Sequence, residues 1–135
     1  MAVKVLTNAL VTVNAIDLST KSNSVTLNYE VDSVEVTAFG DGGHKFTGGL
    51  QINSVDIEFM QDFAASQVEA TIYPLVGTTT TLIIRADSGA VSATNPTYTI
   101  SNAFLAAHTP VAGGIGELMM TSLSFTGGTL VKTTA

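Results

Sequence analysis

Three groups of residues have the types from which a catalytic or binding site is built. The first is TAFGDGGHKFTGGLQI, Thr37 to Ile52, where five glycines surround Asp41, His44 and Lys45. Glycines around a lysine suggest a phosphate cradle, in which backbone amides wrap the phosphates and the lysine reaches the terminal ones. A Walker loop needs Gly directly before the Lys and another Gly five positions before that one. Here His44 precedes Lys45 and Phe39 stands at the earlier position. A dinucleotide G-x-G-x-x-G would need Gly where Lys45 stands, so both motifs fail. The stretch reads instead as a long, mobile connection between two strands, about residues 37–49, since glycines favour a loop that must change shape.

The second group is acidic: Glu30, Asp32, Glu35, Asp56, Glu58 and Asp62. Paired carboxylates do acid–base chemistry or hold a hard cation when they converge in a cleft. These alternate with apolar neighbours at strand spacing, which reads as an acidic face turned to solvent or to a pore. The third group is the two histidines, His44 and His108. A hydrolase triad needs a His between a nucleophile and a carboxylate, and neither a G-x-S-x-G elbow nor an H-E-x-x-H helix is present. His108, in AAHTPVAGG, reads as a strand-end or loop residue. Without Cys there is no thiolate site and no disulfide. The residues therefore point away from an enzyme, and they call for no cofactor or metal.

The elements that would position these residues are mostly strands. In SVTLNYEV the residues Val25, Leu27, Tyr29 and Val31 share one face, and Thr26, Asn28 and Glu30 the other. SVEVTAF continues the pattern. LQINSVDIEF starts with Leu50 and Ile52 in phase and then shifts so that Val55, Ile57 and Phe59 carry the apolar face, which predicts a bulge near Asn53 and Ser54. DFAASQVEATIYPLVG predicts one short helix, capped by Asp62 or Ser66 and ended by Gly77, with Pro74 stopping or kinking it by Tyr73. TTTTLIIRA, TYTISNAFLAA, GELMMTSLSF and TLVKTTA return to strand composition between Gly, Asn and Pro turns. In the third of these, Met119 and Met120 should face opposite sides, one to the core and one to a subunit interface. The expected fold is mainly β, an antiparallel sandwich or barrel with one flanking short helix, as a single domain over residues 1–135.

Composition adds a constraint on surroundings. Only 12% of residues are charged while 45% are hydrophobic and the mean hydropathy is +0.38, against roughly 25% charged in an ordinary soluble protein. So little charge leaves apolar surface that contacts with other copies would cover. Five Lys and Arg against 11 Asp and Glu give a net charge of -6, too few cations to grip nucleic acid by counterion release. The first residues, MAVKVLTNALVTVNAIDLST, place Lys4 before an apolar-leaning run, but Asn8, Thr12 and Asn14 interrupt it, which favours a cytosolic start over a signal peptide. No run approaches the ~20 apolar residues of a membrane-spanning helix.

The segments VTLNYEVDSVEVTAFGDGGHK, EFMQDFAA, YPLVG, SATNP and GGIGELMMTSLSF, in that order, resemble the tail tube (major tail) proteins of long-tailed bacteriophages, most nearly those of phages infecting actinobacteria. The resemblance runs from about Val25 to Phe125. It implies a β-sandwich flanked by a helix, with six copies in a ring whose inner sheets join around a channel, and rings stacked into the tube through which genomic DNA leaves the capsid. It also implies tail partners: tape measure, tail terminator and baseplate or tip proteins. In that family a long loop between two early strands reaches the neighbouring ring. The matching loop here holds Phe39, Gly40, Asp41, His44, Lys45 and Phe46, with the two phenylalanines as expected anchors. Terminal arms, here Met1 to Ala15 and Thr129 to Ala135, would add to packing. Glu30, Asp32, Asp56 and Glu58 are the expected channel lining, past which polyanionic DNA slides without sticking. The implied location is the virion tail, assembled in the host bacterial cytoplasm. The competing reading is a capsid decoration or other virion surface or connector protein with a similar sandwich.

Overall fold

A computed structural model describes residues 3–135. Among them are ten strands and one short α-helix: β1 (Leu10–Val13), β2 (Ile16–Asp17), β3 (Ser22–Asn28), β4 (Val31–Glu35), β5 (Phe46–Gln51), β6 (Ser54–Met60), α1 (Val68–Ile72), β7 (Thr79–Arg85), β8 (Thr97–Leu105), β9 (Met120–Thr126) and β10 (Thr129–Thr133). Eight strands form one antiparallel sheet in the order β2-β1-β7-β8-β9-β6-β3, with β10 also pairing β8, while β4 and β5 pair separately.

The two-residue alternation seen in the sequence decides what each strand buries. Val55, Ile57 and Phe59 of β6 and Leu123 and Phe125 of β9 point inward, as do Val11 and Val13 of β1 and Leu82 and Ile84 of β7. These residues come from opposite ends of the strand order yet meet in one cluster with Val68, Ile72 and Leu75. The sheet therefore curls over on itself, and the helical segment packs against the same core. Burying each such side chain contributes about 1.5–3 kcal/mol.

The curl has a visible corner. Phe104 and Leu105 of β8 pair with Thr126 and Phe125 of β9, whereas Thr97 to Ser101 of the same strand pair with β10. Gly127 and Gly128 join β9 to β10 at φ +79° and +84°, and Asn102 opposite them has φ +60°. A Cβ on Gly128 would overlap the Ser101 carbonyl oxygen. The chain thus passes β8 at a distance only glycine permits.

β3 to β6 form one long hairpin. The β3–β6 ladder ends at Asn28 opposite Ser54, the β4–β5 ladder begins at Val31 opposite Gln51, and the Ile52 amide donates to the Glu30 carbonyl at 2.8 Å between them. Register is therefore continuous through the interruption, and the outer half projects as an arm whose strands are exposed almost throughout. The bulge expected near Asn53 is in fact this interruption between two ladders. Asn53 is 1% exposed, and its Nδ2 donates to Gln51 Oε1 at 2.9 Å and to the Gly128 carbonyl at 3.2 Å. That pair of bonds ties the root of the arm to the β9–β10 corner.

Several expectations change. The segment expected as a glycine-rich loop over 37–49 is a loop only to Lys45, because Phe46 to Gly49 already belong to β5. Gly48 and Gly49 serve a tight ladder: added Cβ atoms would lie 3.3 Å from Val31 Cγ1 and 3.1 Å from Val34 Cγ2. Of the N-terminal segment expected as an arm, Met1 and Ala2 lie outside the described residues. Residues 3–9 are largely exposed, and Leu10–Val13 is a core strand. At the other terminus, Thr129–Thr133 is β10. The helix is shorter than expected, starting after Gln67, with no side-chain cap from Asp62 or Ser66. Asp62 works one turn earlier, its Oδ1 accepting from the Ala64 amide at 2.9 Å and its Oδ2 pairing with Lys21 Nζ at 3.1 Å. Those bonds, the Ala64 amide first, hold its carboxyl below the usual aspartate value. A 3-10 turn at Tyr73–Leu75 follows α1, with Pro74 inside it, as the missing N–H demands. Met119 precedes β9 and Met120 begins it, and both are half-buried, so neither is a core residue.

Candidate functional site

The projecting hairpin concentrates the exposed apolar side chains. Tyr29, Val34, Val36, Phe46 and Leu50 are all exposed, and Phe39 at the tip has no cover at all. The tip is nevertheless ordered by its own polar groups. Asp41 Oδ2 accepts from the Ala38 amide at 2.7 Å, Asp41 Oδ1 pairs with Lys45 Nζ at 2.8 Å, and the Lys45 amide donates to Thr37 Oγ1 at 2.9 Å. The Lys45 bond, then that of Ala38, holds the Asp41 carboxyl below its usual value. His44 Nδ1 lies 3.3 Å from Glu35 Oε1, and its ring centre is 6.5 Å from that of Phe46. The lysine in the glycine-rich stretch is thus spent on an internal carboxylate, and Gly40 at φ +93° turns the chain beside it. No concave cradle for a phosphate is made here; the site is a braced prong with Phe39 at its end.

Two of the four carboxylates, Asp56 and Glu58, share the outer face of β6. Asp56 sits opposite Thr26 and Ser124, and Glu58 opposite Ser24 and Ser122. Glu30 lies between β3 and β4, and Asp32 sits in β4 at the register shift between Val31 and Ser33. Around Asp56 and Glu58 the result is a surface of Ser and Thr hydroxyls carrying carboxylates, with a shallow depression of about 260 Å³ between Ser24, Thr26, Asp56, Glu58, Ser122 and Ser124. Among the described residues no three His, Asp or Glu side chains group as metal ligands. Asp56 and Glu58 lie two apart along one strand and, with the surrounding hydroxyls, make a negatively charged polar face.

Sequence reasoning missed a third constellation. His108 Nε2 lies 2.8 Å from Glu69 Oε2, and His108 Nδ1 lies 3.4 Å from Thr121 Oγ1. Gln61 Nε2 also donates to Glu69 Oε2, at 3.0 Å. Hydroxyl, imidazole and carboxylate stand in the order of a hydrolase triad. Thr121 is 1% exposed and the His108 side chain 2%, so no substrate carbonyl reaches the hydroxyl, and the cluster is structural. Its members are far apart in sequence, and no local pattern announces them.

No family model matches the sequence, and no curated protein matches it. Solved structures do. A chain of an extracellular contractile injection system, in its PVC sheath–tube complex in the extended state, superposes with a TM-score of 0.70 at 14% identity, over 98% of this chain and 92% of that one. A chain of the PVC sheath/tube terminator gives 0.71 at 14% identity, over 96% of both. A chain from the tail of an empty gene transfer agent particle, refined helically with C6 symmetry, gives 0.55 at 17% identity over 85% and 83%. The chain has a tail-tube-like fold, mainly β and antiparallel with one short helix.

Proposed function

We propose that this chain is a structural, non-catalytic subunit of a phage-type tail, in which six copies form a ring and rings stack into a tube that conducts DNA. The observation that carries the reading is the fold match to tube-bearing assemblies over nearly the whole of both chains. The exposed hairpin supports it: a braced prong of apolar side chains is a docking element, since exposed apolar patches of this kind mark protein contacts. The sixfold ring rests on the resemblance in sequence and on the C6 symmetry of one matched tail. Within this reading Phe39 and Phe46 anchor between rings, and Glu30, Asp32, Asp56 and Glu58 line the channel. The chain's partners are then itself, the tape measure, the terminator and the baseplate or tip, and its place is the virion tail, after assembly in the host bacterial cytoplasm.

A second reading has its own support, since the terminator chain matches over 96% of both chains. It makes the chain a ring that closes a tube. Negative-stain electron microscopy of the purified protein, fresh and after concentration, separates the two. Hollow tubes of many stacked rings are the expected result, and single rings that never stack favour the terminator. Small solid particles under every condition, including with tail-initiating proteins added, overturn both readings.

A further inference from the structure

Among the described residues, two exposed apolar features lie at opposite ends of β6. At the Ser54 end, where Asn28 faces Ser54, the arm departs and carries the uncovered ring of Phe39 at its tip. At the Met60 end is a hollow of about 480 Å³ lined by Tyr73, Pro74, Val76, His108 and Pro110. Gln61, the residue after β6, fixes its place there. The Gln61 amide donates to the Met119 carbonyl at 3.0 Å, and its Nε2 donates to the Pro110 carbonyl at 2.9 Å and to Glu69 Oε2 at 3.0 Å. His108 Nε2 lies 2.8 Å from the same oxygen. These bonds set the wall of the hollow in advance, while its mouth stays open: Tyr73 is 67% exposed and Val76 38%.

We propose that this hollow receives Phe39 of a second copy, so that the arm of one subunit plugs into the far end of the next. The inference rests on the tube reading and names the surface that the prong meets. The seven residues of β6 span roughly 20 Å at about 3.4 Å each, and the arm continues away from the Met60 end, so a chain cannot fill its own hollow. A prong at one end and a hollow at the other are two different patches, as a head-to-tail contact requires, and such a contact propagates into a stack where it does not close. The chemistry matches as well. An aromatic ring buries about 150–250 Å² and gains from offset or edge-to-face contact with another ring. Tyr73 supplies that second ring, and Pro74, Val76 and Pro110 supply apolar walls. The charges on either side are already engaged: Asp41 with Lys45 and Glu35 with His44 on the arm, and Glu69 with His108 and Gln61 beside the hollow. Docking therefore strands none of these carboxylates without a partner. A braced tip entering a preformed hollow also loses little freedom.

The test puts a photoreactive p-benzoylphenylalanine in place of Phe39, which keeps an aromatic ring at the tip, and maps its cross-links by mass spectrometry in concentrated full-length protein and in assembled tubes. Mixing isotope-labelled with unlabelled chains before irradiation separates links between copies from links within one. Cross-links to residues 73–76 or 108–110 of a second copy are the expected result. Cross-links only to other segments, only within one chain, or none at all overturn the assignment. Assembly supplies an independent readout. Val76→Ser and Phe39→Ser should each raise the protein concentration needed for tubes about tenfold, and the double variant should need about the same as either, because both remove one shared contact. Effects that multiply to about a hundredfold overturn it equally. Tubes seen by microscopy whose position 39 links elsewhere sink the receptor and leave the tube reading standing, whereas chains that form neither tubes nor links between copies sink both.

Discussion

Gly128 shows how much one residue can decide. Its φ of +84° is a left-handed conformation, and a Cβ there would meet the backbone of Ser101, Asn102 and Ala103. Gly127 shares the conformation, φ +79°, but a Cβ on it meets nothing within 4 Å. Gly127→Ala should therefore cost only the left-handed penalty of about 1–2 kcal/mol. Gly128→Ala should add the displacement of β8 backbone, for roughly 2–5 kcal/mol in all. Denaturant unfolding of the two variants reads the difference directly, and equal losses would mean that β9 and β10 do not pass β8 this closely. The sequence announces GG as a turn and no more, because a turn signal carries no information about what lies opposite. The histidines make the same point in another form. His44 and His108 were alike in sequence as loop residues, yet one sits on the exposed hairpin and the other is buried against Glu69, thirty-nine positions away along the chain.

At the scale of elements, alternation made the strands of the core legible. Val55, Ile57 and Phe59 face inward as their spacing dictates, and Pro74 limits the helix as its chemistry requires. Where reading failed, a distant partner had overridden a local signal. Val11 and Val13 looked like part of an arm, but β7 pairs with them through Ile84 and Leu82 and makes them core. Gly48 and Gly49 looked like loop and instead permit close approach by Val31 and Val34. The stretch over about residues 37–49 was expected to be a mobile loop. The tip of the hairpin is bonded through Asp41 and Lys45, and its root is held by the backbone bond from Ile52 to Glu30 and by the side chain of Asn53. A braced tip loses less entropy on docking than a floppy loop, which supports the proposal that Phe39 anchors between rings. Phe39→Ser should leave the melting temperature of the subunit unchanged within error, because the ring is fully exposed, and should reduce tube yield at least about tenfold if the anchor contributes ~1.4 kcal/mol or more per contact. Sedimentation of assembled against soluble protein checks it. Normal tube yield from Phe39→Ser would remove this residue from the ring contact.

For the whole molecule, charge and apolar surface point to opposite sides of one task. With only 12% charged residues, the chain suits a place among other copies. Two of its carboxylates, Asp56 and Glu58, share one face with Ser24, Thr26, Ser122 and Ser124, and Glu30 and Asp32 follow at the start of the arm. At 0.15 M salt charges act over about 8 Å, so such a face repels phosphates nearby and holds none. Replacing all four carboxylates by lysine makes the net charge of the chain positive and creates a cationic stripe where counterion release now favours DNA. In the proposed tube, wild-type assemblies should let DNA pass freely, whereas the quadruple variant should retain it, slowing ejection from virions, with the retention weakening steeply as salt rises. The same substitutions on an outward face would change binding to DNA added from outside and leave ejection untouched. Ejection kinetics measured at two salt concentrations therefore tell which way this face of the hairpin points: a salt-dependent delay places it on the channel, and unchanged kinetics from fully assembled variant tails place it elsewhere.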